Sequence, residues 1–290
     1  MMRHLNMHLF VLALLATTLA MSQDPAKPPQ AAMELAARLI GGNGKEPEPL
    51  SAYSGQINID LRRGLAEQAN RVMSEYRFAD ALRGYELERQ VAEQIGDRRG
   101  TASALLGIGT IHGRQGEYEQ AAVALRQGLA INEEIGDETN AEVALNNLGI
   151  VRKLQGEYEE ALDYYRRAMS IAERIREPIY VARTLNNIGA VHLLRGSYRD
   201  ALQYFQQSLK LKEGTKDTAT MPSTLVNIGK VYEQMGDDDL ALEYYAQAGK
   251  VNEQLGDRLD ASILDEVGRA YAHQGRYDLA LDYYGRALAG

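Results

Sequence analysis

Leu145-Asn146-Asn147-Leu148-Gly149-Ile150, followed after a short turn by Gly156-Glu157-Tyr158-Glu159-Glu160-Ala161-Leu162-Asp163-Tyr164-Tyr165, decides the fold because it recurs. Forty residues on stand Leu185-Asn186-Asn187-Ile188-Gly189 and Gly196-Ser197-Tyr198-Arg199-Asp200-Ala201-Leu202-Gln203-Tyr204-Phe205, and forty further on Leu225-Val226-Asn227-Ile228-Gly229. Self-similarity at one fixed period means that a supersecondary unit is stacked on copies of itself. Working outward, Phe78, Ala81 and Tyr85 open the series of second helices. Tyr118, Ala121 and Leu125 follow, and Tyr277, Ala280 and Tyr284 close it after a one-residue contraction. Six copies fit the template. The first is the least regular, with Tyr76 where the others carry Gly116, Gly156, Gly196, Gly236 and Gly275.

Within a unit the apolar spacing is helical. Leu145, Leu148 and Arg152 fall at steps of three and four, and Tyr158, Ala161, Leu162, Tyr165 and Ala168 continue the spacing after the Gly156 turn, so each unit reads as two antiparallel helices. Gly109, Gly149, Gly189, Gly229 and Gly268 recur inside the first helix, where glycine costs up to about 1 kcal/mol; in register they point to close helix packing. At the joins, Ile95-Gly96-Asp97, Ile135-Gly136-Asp137 and Leu255-Gly256-Asp257 put a helix-ending glycine beside a capping aspartate. Proline takes over at Arg176-Glu177-Pro178, and the polar join from Glu213 to Pro222 predicts a helix that starts late.

The predicted fold is therefore all-α, a right-handed superhelical solenoid of antiparallel helix pairs over residues 61–290. Its six repeats run about 61–96, 97–136, 137–176, 177–216, 217–256 and 257–290. Residues 23–60 read as a proline- and glycine-rich linker with a short helix over 31–40. Residues 1–22, with Arg3 and His4 ahead of the apolar run Leu9 to Ala20 and small residues at Ala20 and Ser22, read as a signal peptide. That run is too short to span a bilayer, so the expectation is export to the periplasm or medium after cleavage, with no stable membrane insertion.

The chain has no cysteine, which removes disulfides, thiolate metal sites and cysteine nucleophiles together. A net charge of −8 opposes phosphate backbones, so nucleic acid is not expected as a partner. His112 and His192 stand two units apart, too far to share a metal, and read as packing residues. Asp237-Asp238-Asp239 lacks the glycine and glutamate of a calcium loop. The Tyr164-Tyr165, Tyr204-Phe205, Tyr244-Tyr245 and Tyr283-Tyr284 pairs read as packing between helices and repeats. No nucleophile, phosphate loop or metal constellation emerges, so neither catalysis nor a cofactor is expected.

The pattern Leu145-x-x-Leu148-Gly149, Ala161-x-x-x-Tyr165, Ala168 resembles the tetratricopeptide repeat. The forty-residue period and the Asn-Asn-Leu-Gly phrase are most similar to the long-helix subtype of kinesin light chains, polarity adaptors of the LGN type and many bacterial proteins. The resemblance implies a concave face, lined by the first helices, that binds an extended peptide or a partner's helix, with an Asn on each first helix holding the ligand backbone. The matching positions are Asn147, Asn187 and Asn227, with Glu67, Gly107 and Glu266 in the flanking units. The alternative is that these amides bridge neighbouring helices of the solenoid. Arg183 and Lys230 share their face and point to a carboxylate on the partner, against solvated surface charge as the alternative. The expected function is a non-catalytic protein–protein interaction scaffold. A second reading takes the chain as the N-terminal sensing or recruiting arm of a larger enzyme, a caspase-like peptidase or a signalling kinase. It is motivated by a last helix that stops at Gly290 short of its counterparts and is followed by no polar capping helix; self-association through that end is a third reading.

Overall fold

A computed structural model describes residues 27–41, 46–254 and 261–289. Residues 1–22, read above as a signal peptide, the Leu255-Gly256-Asp257 join and Gly290 lie outside the described residues. Those residues form helices and connecting turns, with no strand among them. α1 is Gln30–Ile40, and a 3-10 turn, Leu50–Gln56, follows inside the stretch read as linker. The hairpins are α2 (Ile59–Ser74) with α3 (Phe78–Ile95), α4 (Arg98–Arg114) with α5 (Tyr118–Ile135), and α6 (Glu138–Gln155) with α7 (Tyr158–Arg174). They continue with α8 (Pro178–Leu194) and α9 (Tyr198–Thr215), α10 (Met221–Gln234) and α11 (Asp238–Gln254), and α12 (Ala261–His273) and α13 (Tyr277–Ala289). The chain divides into two compact units, one ending at Ala168 and the other beginning at Met169, and in each the consecutive helices pack pairwise.

The helix ends follow from local chemistry. Asp97 and Asp137 accept from the backbone N–H of Gly100 and Asn140 at 2.9 and 3.1 Å, each covering an unpaired donor of the following helix. Before them Gly96 and Gly136 sit in the left-handed region, and the next N–H reaches back to Ala92 and Asn132 at 2.8 Å, which ends the preceding helix. The same backward bond closes the join at Lys216 and the irregular first turn at Tyr76, where no glycine is available: Tyr76 and Lys216 adopt φ of 60° and 56°. Pro178 opens α8 as a first-turn proline, and α10 begins only at Met221, the late start that the polar join predicts.

The recurring glycines receive a ring. A Cβ on Gly149 would lie 2.5 Å from Cε1 of Tyr165, one on Gly189 2.7 Å from Phe205, and one on Gly229 2.5 Å from Tyr245. Those rings are fully buried, so each hairpin is pinned by an aromatic of the second helix pressed on the bare backbone of the first. The first two repeats vary the theme, with Leu125 against Gly109 and Tyr85 against Gly107. α1 is amphipathic and lays Leu35, Ala36, Leu39 and Ile40 on Leu61, Leu65, Leu87 and Val91, covering the outer face of the first hairpin. Arg83 Nε donates to the carbonyl of Leu39 at 2.9 Å, satisfying a free acceptor at the end of α1.

Candidate functional site

The expected binding residues all lie on first helices, and the structure gives each a defined setting. In the first unit Asn147 is buried. Its Nδ2 donates to Thr110 Oγ1 at 3.5 Å, a long bond, while its Oδ1 is buried with no hydrogen-bond partner. Thr110 in turn donates to the carbonyl of Leu106 at 2.8 Å. The amide therefore keeps one acceptor in reserve on a helix whose residues from Ala141 to Val151 are all buried.

In the second unit Asn187 and Asn227 are also buried. Asn227 Nδ2 donates to Asn186 Oδ1 at 3.2 Å, and Thr224 Oγ1 donates to the same oxygen at 3.1 Å. Lys212 completes the chain with bonds from Nζ to Thr224 Oγ1 at 2.7 Å and the carbonyl of Thr220 at 2.8 Å. Burial pushes the Lys212 ammonium down to about 8, since the two oxygens solvate it less well than water does. At Asn227 the amide bridges repeats, as the alternative reading of the asparagines has it, and the bridge is part of a continuous polar track from α9 through α10 to α8.

The two cations behave differently from one another. Arg183 lies over the ring of Tyr180 at 4.8 Å. Lys230 forms an ion pair with Glu266 of the next repeat at 2.6 Å, so the carboxylate that its charge calls for is supplied by the chain itself. Beside it Glu233 accepts from Arg269 Nε and Nη2 at 2.8 and 3.0 Å and from Tyr245 Oη at 2.8 Å. His192 stacks on Tyr204 at 5.1 Å between ring centres, and Tyr232–Tyr244 and Tyr271–Tyr283 repeat the arrangement at 5.5 Å, whereas His112 Nδ1 meets the Glu117 carboxylate at 2.5 Å.

Three polar features went unread in the sequence. Glu88 is wholly buried in a column otherwise held by Gly128, Ala168, Ser208, Ala248 and Ala287, facing Arg62 at 3.5 Å, and burial raises its carboxyl to about 8. The Tyr165 hydroxyl is buried without a partner, unlike that of Tyr245. Arg114 is buried at a position where the other repeats carry shorter or uncharged side chains. Alignment of the six repeats shows Glu88 and Arg114 as charged outliers, and that was the available signal. A cavity of about 290 Å³ lies between α1 and α2, where Arg38 pairs with Glu48, and both Arg71 and Arg77 pair with Glu75. Among the described residues no cluster of His, Asp and Glu is arranged to hold a metal, and no helix is long and apolar enough to cross a membrane.

A stack of helix hairpins held by ring-on-glycine contacts, with buried amides along its first helices, defines a repeat scaffold. The tetratricopeptide repeat family matches residues 140–214 and 220–290, and a second model of the same repeat matches 101–135, so the chain belongs to the tetratricopeptide repeat family. That family's fold is one of protein–protein interaction scaffolds and is generally non-catalytic. No curated protein sequence matches the chain. Among solved structures it is similar to BtubC (BKLC) from P. vanneervenii, at 21% identity over 79% of this chain and 89% of that one, with a TM-score of 0.59. It is also similar to aspartyl phosphate phosphatase F from Bacillus subtilis, at 17% over 79% and 70%, TM-score 0.61. A third is a Rap protein complexed with Competence and Sporulation Factor, at 15% over 83% and 77%, TM-score 0.63. At these identities the likeness is one of fold.

Proposed function

We propose that the chain binds an extended peptide or a partner's helix along its first helices, through Asn147, Asn187 and Asn227 with help from Arg183 and Lys230, and performs no chemistry of its own. The observation that carries this is Asn147 Oδ1, a buried acceptor with no partner on a first-helix position. Folded proteins rarely leave such an oxygen unmet, and a ligand main-chain N–H is the donor that fits an amide whose other half is already held by Thr110. A fold neighbour complexed with a factor lends further support. In this reading Lys230 serves as a positioned cation that exchanges Glu266 for a ligand carboxylate, while Asn186 fixes the rotamer of Asn227. The test is capture of partners from an extracytoplasmic extract, and of peptides from a randomised library, by the whole chain and by Asn147→Ala, Asn187→Ala and Asn227→Ala. Loss of capture at unchanged melting temperature supports the proposal; unchanged capture with a lowered melting temperature reduces the asparagines to bridges between repeats. The choice of extract follows from the proposed export, which N-terminal sequencing of the secreted chain tests: an intact Met1 on exported protein refutes cleavage.

A second reading, the sensing arm of a larger enzyme, is favoured by one likeness. A signal transduction ATPase with a tetratricopeptide repeat sensor from Pyrococcus horikoshii aligns over 79% of this chain but only 36% of its own, at 15% identity and a TM-score of 0.59. Reading the gene beyond the codon for Gly290 decides it, since an immediate stop codon rules the enzyme arm out.

A further inference from the structure

The cavity between α1 and α2 is walled on one side by chain that belongs to no repeat, the end of α1 and the segment that follows it. At about 290 Å³ it stands at the lower end of the range that small-molecule sites occupy. Its walls are preformed. Gly41 turns the chain back at φ 77°, and the backbone N–H of Glu48 donates to the carbonyl of Arg38 at 3.2 Å. The Glu48 carboxylate then accepts from Nε and Nη2 of Arg38 at 3.0 and 2.9 Å, which fixes the segment carrying Glu46 and Glu48 against α1 while α2 forms the other wall. Ala37, Ile40 and Val72 give the cavity an apolar side, the last two being buried.

The charges around it do not cancel. Arg38, Arg71 and Arg77 line it together with Glu46, Glu48 and Glu75. Arg38 is held by Glu48, and Tyr53 is hydrogen-bonded to both, with its ring 5.2 Å from the guanidinium. Arg71 pairs with Glu75 at 3.3 Å, while Arg77 pairs with Glu75 at 3.1 Å and with Asp80, which does not line the cavity, at 2.6 Å. The three arginines are thus matched by Glu48, Glu75 and Asp80, and Glu46 is left over. Among the described residues its carboxylate has no ion pair or hydrogen bond, and neither has the Gln68 amide beside the same cavity. Arg38 and Ile40 stand in the last turn of α1, and Arg71 and Val72 in the last turn of α2, so the carbonyl ends of two helix dipoles add negative potential at one place. An anion meets no unpaired guanidinium here and is opposed by the net charge of −8. The matching ligand is a cation with an apolar stem, whose N–H groups reach an unpaired carboxylate and an amide oxygen while its methylenes lie on Ile40 and Val72.

We propose that this cavity is a binding site for an alkylammonium group, with the ammonium on Glu46 and Gln68 and the aliphatic stem against Ala37, Ile40 and Val72. A free aliphatic amine and the lysine side chain of a bound protein present the same head and stem, and the site takes that shared chemistry. It stands independently of the peptide reading, because none of its residues is among the first-helix asparagines and half of its wall is α1, an element the repeats do not contain.

The experiment is calorimetric titration of the whole chain with n-butylammonium chloride, beside 1-butanol, which removes the charge, and sodium butyrate, which reverses it. The expected result is saturable binding of butylammonium in the roughly millimolar range open to so small a ligand, binding of butanol weaker by about tenfold, and none of butyrate. Glu46→Gln is expected to lower the butylammonium affinity about tenfold, the scale of one charge-assisted hydrogen bond, and Gln68→Leu about threefold. Glu46→Lys brings an ammonium from the chain itself and is expected to abolish binding. Glu46 is exposed and Gln68 half-buried, and an unchanged melting temperature shows that each variant keeps its fold. Nα-acetyl-lysine amide separates the sources: binding as tight as that of butylammonium admits a partner's lysine, and exclusion restricts the site to free amines, both outcomes keeping the ammonium site. Equal binding of butanol reduces the cavity to an apolar pocket, and tighter binding of butyrate assigns it to the arginines; either overturns the proposal. So does unchanged affinity in a folded Glu46→Gln, or the absence of saturable butylammonium binding. Asn147→Ala is expected to take up the amine as the unmodified chain does, so failure of this site and failure of the peptide reading are told apart.

Discussion

Replacing Gly229 with alanine sets helix propensity against packing, and the structure says packing wins. The added Cβ would stand 2.5 Å from Cε1 and 2.7 Å from Cδ1 of Tyr245, more than 1 Å inside the roughly 3.5 to 4.0 Å separation of touching carbons. The ring has little freedom to retreat. It is fully buried, and its hydroxyl is held by Glu233 at 2.8 Å, itself clamped by both donors of Arg269. Overpacking of this kind costs about 1 to 3 kcal/mol, and a ring that swings away gives up its hydrogen bond as well, roughly another 1 kcal/mol. Against this, alanine in place of a mid-helix glycine returns up to about 1 kcal/mol. The net expectation is a loss of about 1 to 3 kcal/mol, read as a lower urea midpoint at unchanged slope. Gly285→Ala is the control, because a Cβ there meets no atom within 4 Å and only the propensity gain remains. If Gly229→Ala proves as stabilising as Gly285→Ala, ring-on-glycine packing is not what holds the hairpin.

Glu88 and Lys212 make opposite pH predictions. The Glu88 carboxyl is raised to about 8 by burial, which outweighs Arg62, so the stability it contributes is whole below about 4.5 and is lost as pH climbs toward 8. Glu88→Gln should therefore gain on the unmodified chain across that window, at up to about 1.4 kcal/mol per pH unit in chemical denaturation; a pH-independent difference refutes the buried acid. For Lys212 the folded pKa is lowered to about 8 from 10.5, so the unfolded chain holds more protons between those values and stability rises with pH through that interval. Lys212→Met should lack that rise, and an identical pH profile for both proteins counts against the assignment. Lys216 holds a left-handed φ of 56° where Gly96 and Gly136 serve in other joins, so Lys216→Gly should raise the thermal midpoint by the equivalent of about 1 kcal/mol. A lowered midpoint would mean that the lysine side chain supports the join in a way its backbone conformation does not reveal.

By itself the sequence determined the repeat, the two helices in each copy, their ends and their tight seam. Those properties are written in short-range chemistry. A capping Asp97 acts on the N–H of Gly100 three residues away, a left-handed Gly96 acts on its own turn, and apolar spacing selects a helix face whatever lies beyond it. Even the late start of α10 and the irregular Tyr76 turn were legible, because proline, threonine and a missing glycine act where they stand.

Only the tertiary structure decided which polar groups meet. Asn147 finds Thr110, Asn227 finds Asn186 and Arg269 finds Glu233 across separations of 37, 41 and 36 residues. Those partners differ from one repeat to the next although the register does not. The forty-residue period brings whole helices together, but a hydrogen bond needs its donor within about 3 Å, a scale set by rotamers and stacking offset that no single-chain pattern encodes. For that reason the sequence places Lys230 on a first-helix face without naming the Glu266 that pairs with it, and the burial of Arg114 is visible only once its neighbours are in place.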